Sequence, residues 1–145
     1  MSIQETLDQI KYVAWHNIQV LDADKNDGAV TVRLPGRDDL LNYVGTGHAG
    51  AIYTLAETAA GVAADSVAQT MEAFILLRGA EVKYKRRAEG DLTATGAVSP
   101  DVAKRTRHAF TASSRADLAV EVDIRDPENQ SVFQGIFNYA LRPRN

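Results

Sequence analysis

The sequence predicts an α+β fold in which one antiparallel sheet wraps around a single long central helix. Three observations carry this expectation: a segment at 48–64 that is apolar on nearly every side, a hairpin pattern before it, and strands of strict period two after it. A helix that is apolar all round has to be covered, and strands joined by tight turns pair antiparallel. The concave face of one sheet is the cover that satisfies both conditions. The 145 residues suffice for one domain, 1–145, with a sizeable core.

In chain order, Ile3, Leu7, Ile10 and Val13 stand at helical spacing and predict a short amphipathic helix over 3–13. Ile18 and Val20 then alternate with polar residues, Asp27-Gly28 signals a turn, and Val30, Val32 and Leu34 alternate again, which reads as a hairpin. Pro35-Gly36 ends its second strand, and RDDLLNYVGTG forms a long loop of the kind that often carries function. The central helix runs from about 48 to 64, roughly 25 Å at about 1.5 Å per residue.

Four strands are expected after it. Ala80, Val82 and Tyr84 alternate with Glu81, Lys83 and Lys85, and LTATGAV at 92–98 follows the turn Glu89-Gly90-Asp91. Leu118, Val120, Val122 and Ile124 alternate with Ala119, Glu121, Asp123 and Arg125. Turn residues at 126–129 lead into a closing strand over 133–141, with Phe133, Phe137 and Tyr139 on one face. Residues 99–117, basic and rich in Ser and Thr, read as a loop with at most a short helical turn.

The composition is that of a soluble globular protein, 45% hydrophobic and 24% charged. With no cysteine there is no disulfide, thiolate metal site or cysteine nucleophile. The N-terminal residues lack the apolar run of a signal peptide and the character of a transit peptide, and Glu57 interrupts the longest apolar stretch short of a bilayer span. A cytoplasmic protein is expected, with neither membrane nor nucleic acid as partner. The net charge of −3 divides into −6 over residues 1–77 and +3 over residues 78–145. The basic excess lies in KYKRR at 83–87 and KRTRH at 104–108. Such clusters suit a small polyanion, or else are solvated faces.

Glu57 is the residue that asks for an explanation. Between 49 and 64 the only other polar-capable side chains are Tyr53, Thr54 and Thr58. Burying an ionised carboxylate costs several kcal/mol unless it is paired, and raises its pKa. Gly50, Tyr53, Thr54, Gly61 and Ala64 share its helical stripe, and the two glycines allow close approach of a backbone or a thin ligand. Such a carboxylate serves as general base or nucleophile, or is structural, bonded to backbone N–H groups or to an arginine. Ala49 and Gly50 present unpaired N–H groups at the helix start, as donors to an oxyanion or as an ordinary helix terminus. His48 has no second ligand at metal spacing, so no metal is expected. Loop asparagines such as Asn42 are usually turn residues, and a helical Thr such as Thr58 often bonds its own backbone. Trp15 and His16 read as structural, and Ser113-Ser114 lacks the context of a serine nucleophile.

The order of elements, together with Asn42, a glycine loop, His48-Ala49-Gly50 and an acid nine residues after the histidine, resembles the hotdog-fold acyl-CoA thioesterases. The branch it is most similar to is that of the phenylacetate-pathway thioesterases, whose pattern is Asn, a short glycine loop, His-Gly-Gly and an Asp or Glu on the helix. The resemblance covers about residues 15–142. Here the first glycine is Ala49, and the spacing from Asn42 to His48 is longer than in many members. The resemblance implies a homodimer, or a homotetramer built as a dimer of dimers, with the site at the subunit interface. It also implies hydrolysis of a coenzyme A thioester, with coenzyme A entering only as part of the substrate. Glu57 would be the base or nucleophile, the Ala49 and Gly50 amides the oxyanion site, and Asn42 and His48 the positioning groups. Thr58 and Tyr53 would line the pocket. Lys83, Lys85, Arg86 and Arg87, or else Lys104, Arg105 and Arg107, would meet the coenzyme A phosphates. A non-catalytic acyl-thioester binder on the same fold is the competing reading; a dehydratase of 3-hydroxyacyl thioesters would need a different acid–His spacing.

Overall fold

The structure, a computed structural model, describes residues 1–24 and 28–144. Its centre is the alanine-rich helix α3, Ala49–Gln69, which runs five residues past the end that the sequence pattern suggests. The extension follows from a change of environment rather than a change of helix. Val67 and Ala68 continue the buried face, while Asp65 and Gln69 sit on the opposite side and hydrogen-bond to each other one turn apart.

The hairpin is present as β1 (Gln19–Asp24) and β2 (Ala29–Leu34), paired antiparallel. Asp27 of its expected turn lies outside the described residues; Gly28 has a positive φ of 64°. The remaining strands are β3 (Ala73–Tyr84), β4 (Leu92–Ala97), β5 (Ala116–Arg125) and β6 (Ser131–Pro143). Together they form a six-stranded antiparallel sheet in the order β1-β2-β4-β5-β6-β3. This is the hotdog fold: the sheet wraps α3, whose Leu55, Ala56, Ala59, Ala60, Ala64 and Val67 are completely buried. Alanine is what lets sheet and helix approach closely. At Gly96 on β4 a Cβ would stand 2.8 Å from the Ala59 carbonyl oxygen, so only glycine fits there.

Three expectations are corrected. The strand expected at 80–85 begins at Ala73 and pairs along its length with β6, not with its sequence neighbour β4. It is therefore an edge strand, with Leu76, Leu77, Val82 and Tyr84 exposed. Residues 99–117 hold a true helix, α4 (Pro100–Ser113), between β4 and β5, so four strands do not follow in direct succession. Ser99 caps it by accepting from the Val102 N–H at 3.2 Å, and Pro100 stands where no N–H is needed. The apolar face of α4 is narrow, which is why periodicity alone passed it over; Ala103 and Thr106 are its buried residues.

The N-terminal helix is divided into α1 (Ile3–Gln9) and α2 (Lys11–Trp15), with extended backbone at Ile10. Gln4 ties α1 to β1: its amide nitrogen donates to the Ile18 carbonyl at 3.0 Å, and its oxygen accepts from the Val20 N–H at 2.7 Å. The Tyr12 hydroxyl lies 3.4 Å from that of Thr54 on α3. The α1–α2 segment thus hangs from one edge of the sheet across the uncovered side of α3, opposite β3.

Candidate functional site

The glycine loop is built by Asn42. Its side-chain oxygen accepts from the N–H groups of Val44 at 3.0 Å and Thr46 at 3.1 Å, and its nitrogen donates to the Thr46 hydroxyl at 3.1 Å. Gly45 supplies a φ of 81° at the tip, beside a fully exposed Tyr43. The Gly47 N–H to the Ala88 carbonyl, 2.7 Å, and the His48 N–H to the Leu40 carbonyl, 2.8 Å, anchor the loop ahead of α3. Asn42 acts within this chain as a turn residue whose amide bonds close its own loop.

His48 is the N-cap of α3, its Nδ1 accepting from the Gly50 N–H at 2.9 Å. The expected pair of free amides is thereby reduced. The Gly50 N–H is engaged by the cap and the Ile52 N–H by the His48 carbonyl, which leaves the N–H groups of Ala49, an exposed residue at the first helical position, and of buried Ala51 without an acceptor among the described residues. The Ala49 carbonyl in turn accepts from the Tyr84 hydroxyl at 2.9 Å.

Glu57 is half-buried in the middle of α3 and turned toward the side the sheet leaves uncovered. Its Oε2 accepts a 2.8 Å hydrogen bond from the hydroxyl of Tyr139 on β6, a residue only 1% exposed. Burial raises the pKa of Glu57, and the Tyr139 bond offsets part of that rise. One turn on, a Cβ at Gly61 would stand 3.4 Å from Oε2, so the glycine leaves the carboxylate approachable. Thr58 and Thr54 both bond back to their own helix, Thr58 to the Thr54 carbonyl at 2.7 Å and Thr54 to the Gly50 carbonyl at 2.9 Å. Thr58 nevertheless lines, with Glu57 and Gly61, a cavity of about 460 Å³ between α3, the N-terminal helices and Ile75 of β3. Tyr53 stacks obliquely on Phe137, ring centroids 5.5 Å apart, and does not line that cavity.

One chain does not bring all these groups to a point. Ala49 and Glu57 are separated by about 12 Å along the helix axis, at about 1.5 Å per residue. The two cannot touch one carbonyl group within a single chain. The basic residues fall near the helix start: Lys83 on β3, and Lys85, Arg86 and Arg87 in the segment that the Ala88 carbonyl pins to the glycine loop, all four exposed. Lys104, Arg105 and Arg107 belong to α4, where the Arg107 Nε donates to the Thr70 hydroxyl at 3.3 Å. The partner that sequence reasoning missed is Tyr139. The available signal was its burial, because a phenol inside a core needs an acceptor, but nothing in the sequence says which.

With this geometry in hand, the family model described as Domain of unknown function (DUF4442) matches residues 10–140. No curated protein matches the sequence. A Pseudomonas aeruginosa protein of unknown function, called a probable thioesterase, superposes with a TM-score of 0.82 at 20% identity, over 97% of this chain and 96% of its own. A hypothetical thioesterase protein from Streptococcus pneumoniae, solved with coenzyme A, gives 0.74 at 20% identity over 97% of each chain. A mutant thioesterase enzyme from Staphylococcus aureus gives 0.74 at 18% identity, over 92% of this chain and 99% of its own. At these identities what is shared is the fold.

Proposed function

The chain belongs to the family described as Domain of unknown function (DUF4442) and has the hotdog fold, and from that premise we propose that it hydrolyses an acyl-CoA or a related acyl thioester to the free acid and thiol. The observation that carries the reading is Glu57, a half-buried carboxylate with a raised pKa, held by Tyr139 at the edge of a cavity. A base suits its task when its pKa lies nearer the working pH than that of an ordinary carboxylate. Glu57 takes a proton from water, and the water oxygen bonds to the carbonyl carbon. The tetrahedral oxyanion accepts from an Ala49 N–H. The C–S bond then breaks, and the thiolate recovers the proton from Glu57. No cofactor is needed beyond the coenzyme A of the substrate.

The 12 Å between Ala49 and Glu57 is the reason to propose a homodimer, alone or as half of a tetramer, in which one protomer's helix start faces its partner's carboxylate. The long β3 edge, with exposed Leu76, Leu77 and Val82, offers the surface for continuous sheet pairing across a two-fold axis. Asn42 and His48 then shape the helix start that the carbonyl meets. Lys83, Lys85, Arg86 and Arg87, beside that start, are the proposed phosphate contacts. The S. pneumoniae protein solved with coenzyme A supports the choice of ligand. The proposed setting is the cytoplasm; among the described residues no helix is long and apolar enough to cross a membrane.

Turnover of an acyl-CoA panel, followed by thiol release, tests the assignment. Glu57→Ala should lower kcat/KM by roughly 10²–10⁴ while the protein remains folded by circular dichroism. Activity near the wild-type level in that variant rejects it. Engagement of the Gly50 amide by His48 favours a second reading, an acyl-CoA binder that holds the thioester without cleaving it. Binding without thiol release would select that one.

A further inference from the structure

The cavity beside Glu57 is a trench, and its dimensions carry information about what fills it. Its floor is the uncovered stripe of α3, where Glu57, Gly61, Asp65 and Gln69 recur every four residues. That stripe spans about 18 Å at about 1.5 Å per residue. Ile3, Leu7 and Ile10 of the N-terminal segment form one wall, and Ile75 of β3 stands on the other. The apolar character gives way at the far end, about 12 Å from Glu57, to Asp65 and Gln69, with Arg144 beside them. A polymethylene zigzag, with bonds of about 1.5 Å and angles of about 111°, advances roughly 1.25 Å per carbon.

We infer that this trench receives the acyl chain of the substrate, a linear aliphatic chain of about 10 to 14 carbons running from Glu57 toward the C-terminal end of α3 under the N-terminal helices. The inference rests on the thioesterase reading of Glu57 and names its substrate class. Three observations favour an acyl chain over a second copy of the protein as occupant. The trench is continuous with the carboxylate, both walls come from this chain, and 460 Å³ lies in the range of small-ligand pockets. An acyl ring would occupy only the part nearest Glu57 and leave the rest of the apolar wall uncovered.

Two readouts test it on the intact protein: kcat/KM over saturated acyl-CoAs from four to sixteen carbons, and binding of dodecanoate by calorimetry. Burial of each methylene should raise kcat/KM by about two- to fourfold per carbon until the chain reaches 10 to 14 carbons, then cease. Ser66→Trp on the floor and Thr6→Trp on the exposed rim of α1 plug the trench from opposite sides. Each should lower the dodecanoyl-to-butyryl ratio of kcat/KM at least tenfold and abolish dodecanoate binding, and the use of two sites guards against a variant that fails to fold. A profile flat beyond four carbons, a preference for an aromatic acyl group, or plugs that leave the ratio unchanged would overturn the inference. Failure of the hydrolase reading looks different: no thiol released from any chain, with dodecanoate still bound by wild type and lost in both plugged variants, which leaves the trench assignment standing.

Discussion

Replacing Tyr139 with Phe removes a single oxygen atom and leaves the Glu57 carboxylate without a hydrogen-bond donor among the described residues. Burial, followed by the charge of Glu57, pushes the Tyr139 phenol far above its ordinary range, so at any working pH it is a protonated donor. A hydrogen bond to a charged group contributes about 1.5–3 kcal/mol, and the 2.8 Å O–H···O contact is of that kind. Losing it penalises only the ionised form of Glu57, because the protonated acid has less need of a donor. Where Glu57 is mostly protonated, the ionised fraction should fall roughly 10- to 150-fold, and kcat/KM with it. The assay is a profile of kcat/KM against pH from about 5 to 9 with a good acyl-CoA. The acid limb of Tyr139→Phe should move to higher pH, with a plateau close to the wild-type level once Glu57 is ionised. Coincident limbs in the two proteins, or a loss uniform at every pH, would show that Tyr139 merely packs and would refute the reasoning.

The same carboxylate makes a stability prediction with a definite sign. Its folded-state pKa is raised above the ordinary value of 4.5, so across that window the native state holds a proton that the unfolded chain has released. Stability contributed by this group is complete below the window and declines as pH rises through it. Glu57→Gln should therefore melt higher relative to wild type at pH 8 than at pH 4 by calorimetry; a difference independent of pH would contradict the assigned cause. Gly96→Ala drives a Cβ to 2.8 Å from the Ala59 carbonyl oxygen, an overpacking that should cost about 1–3 kcal/mol and lower Tm by roughly 3–10 °C. An unchanged Tm would mean that the sheet and α3 are not in contact there. Leu76→Lys combined with Val82→Lys places charge on the exposed β3 edge and should yield monomers by light scattering, with turnover lost in parallel. Retention of an oligomer would move the interface elsewhere.

The sequence by itself determined the secondary elements that have wide, regular faces. The alternation through Leu118, Val120, Val122 and Ile124 is the buried face of β5, and the alanine run from 49 to 64 is the buried helix, because burial on one face imprints the backbone's own period on the residues. It also singled out Glu57, since a lone carboxylate in such a run stands out without any knowledge of its neighbours. α4 was within reach through Ser99-Pro100, a cap followed by a proline, but its apolar face was too narrow for periodicity to register. Only the tertiary structure decided the pairing of β3 with β6, the bond between Glu57 and Tyr139 across 82 positions of sequence, and the trench beneath the N-terminal helices. It also showed that Asn42 and the Gly50 amide are occupied within their own loop and cap. The physical reason is the same in each case. Local periodicity records that a residue is covered; which group covers it depends on strand order and helix placement, and these are settled by how the whole chain packs.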